Sequence, residues 1–220
     1  MAAKKKQSVS AEQIVDLYSQ YVLEHGSKPT SVYSLMQASG FSEADFYQYY
    51  ASFSALESAY LSELFHHTFD LIHKSADYAQ YDAAQKLSSF YFTFIEMTTA
   101  NRSMVLYLLT EDKNPLHSLE KLKLLRADFL KFVQQILQAP MATESKRLND
   151  VQTKLVHEGA WIQFLSILKY WTDDTSAGFE KTDVFIEKSV QAAFDLVYHS
   201  PMKSVVDLGK FLWKEKMTQQ

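Results

Sequence analysis

Only five glycines and four prolines punctuate the 220 residues, and this scarcity limits the fold more than any motif does. Hairpins need residues that accept positive or fixed φ. A chain that lacks them between long segments of 3.6-residue apolar periodicity has room for helices and little else. The expected fold class is all-α. The length suffices for one good core, or for a small headpiece and a larger body.

Several chemistries drop out next. The chain has no cysteine, which excludes disulfides, thiolate zinc sites and Cys nucleophiles. No apolar run approaches the roughly 20 residues that span a bilayer, and no apolar segment follows the lysines of MAAKKKQSVS. The expected localisation is cytoplasmic. There is no Gly-rich phosphate loop, no nucleophile elbow and no pair of Glu-x-x-His motifs such as the di-iron bundles carry, so no catalytic residue, cofactor or enzyme activity is expected. Asp173 and Asp174 read as helix caps. His66, His67 and His73 form the densest histidine group, but the separation of seven from His66 to His73 exceeds a one-turn chelate, so no metal site is expected.

From Thr30 to Leu56 the sequence reads TSVYSLMQASGFSEADFYQYYASFSAL. Val32, Leu35 and Met36 recur at helical spacing, Gly40 breaks the pattern, and an aromatic helix over Ser42 to Tyr50 follows at once. This is the form of a helix-turn-helix, with Thr30 and Ser42 as candidate caps. Together with Gly26, the residues Thr30, Ser31, Val32, Gly40, Phe41, Ser42, Phe46, Tyr47, Tyr49, Tyr50 and Leu56 keep the spacing of the N-terminal domain of TetR-family transcriptional repressors. The segment from Ile14 to Leu61 resembles that domain. Phe53 stands where the family has Lys, and Asp45 where it has a small or hydroxyl residue. Between Ala11 and Leu64, Glu12, Asp16, Glu24, Glu43, Asp45, Glu57 and Glu63 face the single Lys28.

The resemblance implies a TetR-like fold: a three-helix headpiece over residues 1–53 and a helical ligand-binding and dimerisation body over 54–220. It implies DNA as a partner. Ala44, Asp45 and Gln48 would lie towards base edges, while Tyr47, Thr30 and Ser31 hold phosphates, Ser42 at the start of the second helix counts with the DNA-binding set, and Lys4, Lys5 and Lys6 form either a solvated terminus or an arm on DNA.

In chain order, helices are expected over Ala11 to Glu24, then Ser54 towards Tyr78, Asp82 to Ala100, Arg102 to Leu109, Leu116 to Leu137, Thr143 to Trp171 and Thr182 to Tyr198. Lys121, Lys123, Arg126 and Lys131 are expected to face solvent. Phe90, Tyr91, Phe92 and Phe94 cannot all face one way, so their helix should be surrounded on most sides. These rings are either a filled core or the wall of an apolar pocket. The candidate lining is Phe65, Phe69, His73, Phe90, Tyr91, Phe94, Thr98, Trp161 and Phe164, for an apolar small molecule or lipid.

TetR-like proteins pair two consecutive C-terminal helices across a dimer. That resemblance points to Leu155, Gly159, Ile162, Phe185, Val190 and Phe194 as the interface of a homodimer. The last segment, Lys203 to Met217, sets Val205, Leu208, Phe211 and Trp213 against lysines, either as a capping helix or as one that touches a membrane surface. With the stretch from Trp171 it also resembles TetR-like lipid-binding accessory proteins of ubiquinone biosynthesis, although Lys188 and Ser189 replace their Arg-rich helix end. Two functions follow: a ligand-responsive repressor, or a lipid or hydrophobic-metabolite binder on the same fold that has lost DNA binding.

Overall fold

The computed structural model describes residues 9–112, 120–137 and 146–198. Nine α-helices and no strand occur among them: α1 (Ala11–His25), α2 (Val32–Ala38), α3 (Glu43–Tyr47), α4 (Phe53–His73), α5 (Ala83–Ala100), α6 (Arg102–Thr110), α7 (Lys123–Ile136), α8 (Lys146–Asp173) and α9 (Glu180–Tyr198). Lys4, Lys5, Lys6 and the Lys203 to Met217 segment lie outside the described residues.

Local chemistry sets the boundaries. Ser10 and Gln13 form a reciprocal capping box, with Gln13 N donating to Ser10 Oγ at 3.2 Å and Ser10 N to Gln13 Oε1 at 2.9 Å. Gly26, at φ 66°, closes α1 in the left-handed conformation, and its N–H donates to the Val22 carbonyl at 2.8 Å. Gly40, at φ 78°, ends α2 with bonds from Gly40 N to Gln37 O and from Phe41 N to Met36 O, the pattern of a Schellman stop. Asp82 and Gln85 repeat the capping box ahead of α5. Some boundaries differ from the sequence reading. Helix α3 is five residues and stops at Tyr47 rather than Tyr50, and α4 ends at His73, with a 3-10 turn at Tyr78–Gln80 beyond it.

The chain divides into two compact units. The first holds the residues to Ile72 and those of Thr93–Phe129, and the second holds His73–Phe92 with the residues from Leu130 on. In the first, Ile14, Tyr18 and Val22 recur at spacings of four on α1 and are buried with Met36, Phe46 and Leu56. Phe53, half-buried, packs its ring 5.1 Å from Tyr18 and 5.6 Å from Phe46, so the position that is Lys in TetR-family repressors here carries an aromatic set against two buried rings. In the second unit the core is Phe90, Tyr91, Phe132, Phe164, Trp171 and Ile186. Two expectations need correction. Phe92 is 39% exposed, so α5 is open on that side, where the four rings are expected to be surrounded on most sides. Lys121 is buried rather than solvated, because acidic partners distant in sequence surround its ammonium.

Candidate functional site

The α2–turn–α3 element presents two kinds of residue. Thr30, Ser31, Ala44, Tyr47 and Gln48 are exposed. Ser31 Oγ accepts from Ser34 N at 3.0 Å and caps α2, while the Tyr47 hydroxyl donates to Glu43 Oε1 at 3.2 Å. Asp45 is buried, and its carboxylate accepts from Ser42 N at 2.9 Å and Ser42 Oγ at 2.6 Å. Asp45 is therefore the anion at the positive end of α3, and its acceptor atoms point into the helix start. Lys28, the one Lys or Arg among residues 11–64, is ion-paired to Glu111 at 3.3 Å.

Beneath this element the first unit carries a buried charge cluster. Lys121 Nζ lies 2.9 Å from Glu111 Oε2, 3.1 Å from Glu57 Oε2 and 3.3 Å from Asp112 Oδ2, while the Tyr18 hydroxyl donates to Glu57 Oε1. Glu57 is 1% exposed and Lys121 4%. Burial opposes ionisation of Glu111. The hydrogen bond from Lys121, with the charges of Lys121 and Lys28, outweighs that and holds its carboxyl below the usual carboxylate range. Burial lowers the affinity of Lys121 for its proton, but the same carboxylates win and raise it. Burial, then the hydrogen bond to Glu57, pushes the Tyr18 hydroxyl far above its ordinary value. The cluster ties α1, α4, the end of α6 and the segment before α7. Sequence reading missed it, although Glu57 stands four and seven residues from Leu61 and Leu64 on the buried stripe of α4.

The nine candidate pocket residues are distributed over both units. Phe65, Phe69, Phe94 and Thr98 belong to the first unit; His73, Phe90, Tyr91, Trp161 and Phe164 belong to the second. Phe65 stacks on Phe69 with centroids 6.0 Å apart, and Thr98 turns its hydroxyl onto Ile95 O at 2.9 Å. His73 is exposed, with its ring 4.5 Å from Tyr78. Phe90, Tyr91 and Phe164 meet with centroids 5.8 Å apart, and Trp161 lies 5.6 Å from Phe164, so these rings fill their own space. Tyr91 donates to Gln163 Oε1 and Gln163 Nε2 to Ser189 Oγ, each at 3.3 Å. On the other side of Gln163 lies a groove of about 330 Å³, walled by Leu87, Leu155, Gly159, Ala193 and Phe194.

Of the candidate interface residues, Leu155 (59% exposed), Gly159 and Ile162 (62% exposed) form an open apolar stripe on α8. Phe185 stacks on Tyr170 at 4.5 Å and Val190 is buried within the unit, so neither is open. Phe194 is half-buried at the groove. His66 pairs with Asp128 at 3.3 Å, and no group of three metal-ligating side chains occurs among the described residues.

A family model described as "Tetracyclin repressor-like, C-terminal domain" matches residues 86–212, more than half of the chain. The chain belongs to the tetracyclin repressor-like family. The matched residues lie in the helical body, and the family is one of transcriptional regulators. No curated protein matches the sequence. Among solved structures, the fatty acid degradation regulator FadR from Bacillus halodurans is similar. It has 18% sequence identity and a TM-score of 0.56, over 86% of this chain and 96% of that one, a likeness of fold. No helix among the described residues is long and apolar enough to cross a membrane.

Proposed function

We propose that the protein is a cytoplasmic, ligand-responsive transcriptional regulator that binds duplex DNA as a homodimer and takes an apolar small molecule in its second unit. Residues 1–53 supply the reading head, and 54–220 supply ligand binding and dimerisation. The observation that carries this reading is the outward set of Thr30, Ser31, Ala44, Tyr47 and Gln48 around a helix-turn-helix, in a chain of the tetracyclin repressor-like family. Gln48 is the side chain suited to an adenine edge, and Tyr47, Thr30 and Ser31 are suited to phosphates. With its carboxylate committed to Ser42, Asp45 supports α3 instead of reading a base. The α8 stripe of Leu155, Gly159 and Ile162 is the dimer face. The groove beside Gln163 is the ligand site, and because FadR is a fatty acid degradation regulator, acyl chains are the first ligands to test.

One observation favours a second reading, a lipid or hydrophobic-metabolite binder without DNA. The headpiece is acidic and its Lys28 is already paired with Glu111, whereas phosphate binding draws on cations. The Lys203 to Met217 segment would then serve membrane contact. Binding to the protein's own upstream DNA and to random duplex, across a salt series, separates the two. Retention that steepens as salt falls supports the regulator. No retention at low salt, with lipid co-purifying in native mass spectrometry, replaces it with the lipid binder.

A further inference from the structure

Lys28 sits two residues before Thr30, at the entrance to α2, and is the only Lys or Arg among residues 11–64. Its ammonium lies 3.3 Å from Glu111 Oε1. The other Glu111 oxygen is held by the buried Lys121 at 2.9 Å, so the carboxylate is anchored from behind and offers one oxygen outward. Glu111 is the residue that closes α6, with its N–H on the Tyr107 carbonyl at 2.8 Å, which fixes its place to that helix end.

We propose that Glu111 is a charge gate on the headpiece: it competes with nucleic-acid phosphate for Lys28, and withdrawal of the α6 end hands that cation to DNA. The proposal rests on the DNA-binding reading above and adds how binding is regulated. Lys28 is 51% exposed, so the pair is weak and screened. A weak pair suits a gate, since it sets affinity by a factor of about five and is broken by a small displacement. The surrounding cluster has a surplus of acid, with Glu57, Glu111 and Asp112 facing Lys121 and Lys28, three carboxylates to two ammoniums. Neutralising Glu111 therefore leaves Lys121 paired with Glu57 and Asp112, and Glu111→Gln is a variant the fold tolerates.

The test uses the full chain as wild type, Glu111→Gln, Lys28→Met and the double variant, with two readouts. The first is the rate of reductive methylation of the Lys28 amine by peptide mass spectrometry, with Lys181 of the second unit as internal reference. Glu111→Gln should raise it about fivefold and leave Lys181 unchanged. The second is affinity for random duplex DNA across a salt series. Glu111→Gln should bind about fivefold more tightly with a log–log salt slope steeper by about one, and Lys28→Met should remove that gain in the double variant. Unchanged Lys28 labelling, or a gain that survives in the double variant, overturns the gate and leaves the DNA-binding reading standing. Faster Lys28 labelling with no DNA retained by any variant at low salt overturns the DNA-binding reading, and the gate with it.

Discussion

Both units bury aromatic rings, but the first adds a cluster of paired ions to its core. The first buries ions: Lys121 and Glu57 are almost wholly covered, with Tyr18, Glu111 and Asp112 completing their shells. The second buries rings, with Phe90, Tyr91, Trp161 and Phe164 meeting at 5.6 to 5.8 Å. Apolar packing contributes in proportion to area and tolerates rearrangement. A buried ion pair adds little net stability but penalises every arrangement that separates its partners. The unit that carries the helix-turn-helix is thus the one whose helices are fixed by direction-dependent contacts, whereas the unit with the apolar groove is held by contacts that can adapt to an occupant.

The comparison breaks most visibly at Phe164. This ring is fully buried against three others, so Phe164→Ala should cost about 4 kcal/mol, seen in urea denaturation. Hydrogen exchange should place the loss in α8 and α9 while α1 keeps its protection. Equal loss in α1 would mean that the two units do not differ in what holds them.

Lys121→Met is the matching change in the first unit. Its methylenes still pack, but Glu57 keeps a buried charge without its ammonium, at a cost of roughly 3 kcal/mol. Exchange should rise in α1 and early α4, because Tyr18 and Glu57 share the cluster. Adding Glu57→Gln should recover part of the loss, since the stranded charge is then gone. A double variant no better than Lys121→Met would show that packing, not charge, is what Lys121 supplies.

Much of the fold was legible because its signals are local. The all-α class follows from the sparing use of Gly and Pro, and Gly26 and Gly40 stop α1 and α2 where the spacing places them. Matched family residues from Ile14 to Leu61 agree with a body that falls within the tetracyclin repressor-like family. The charge cluster was not legible, because Lys121 owes its burial to Glu57 and Glu111, 64 and 10 residues away in sequence. A lysine at a helical position shows only its own face. Glu57 carried the readable clue, a carboxylate in register with buried leucines, which marks either a paired ion or an error in the helix register. The aromatic helix was read correctly as rich in core, yet composition does not distinguish rings that fill space from rings that surround it.

A smaller effect belongs to Asp174, which joins α8 to α9. Its carboxylate accepts from Ser176 N and Oγ at 2.8 and 2.7 Å and from Thr182 N and Oγ at 2.9 and 2.7 Å. These bonds, that from Ser176 foremost, hold its carboxyl far below the usual range. A depressed folded-state value means that the stabilisation is complete above the unfolded carboxylate value of about 4 and is lost as pH falls through the folded one. Asp174→Asn should lower Tm near pH 7 and flatten its decline below about pH 4. An acid profile parallel to wild type would assign that decline to other carboxylates, Glu111 of the first unit among them.

The smallest effect on the fold, and the sharpest on assembly, is expected at Ile162. Single exposed apolar residues are ordinary, but Leu155, Gly159 and Ile162 recur at spacings of four and three on one helix, with Leu196 60% exposed on α9. Ile162→Glu removes no buried contact of the protomer, so its intrinsic stability should move by no more than about 0.5 kcal/mol. In an isologous dimer one substitution acts twice, because the same patch on both copies meets across the axis. Two carboxylates would then enter a desolvated seam, and sedimentation equilibrium should find dimer for wild type and monomer for the variant. The concentration dependence of Tm should vanish with the dimer, since association stabilises by mass action. An unchanged mass with an unchanged Tm would remove the α8 stripe as the interface and leave it as an open wall of the groove beside Gln163.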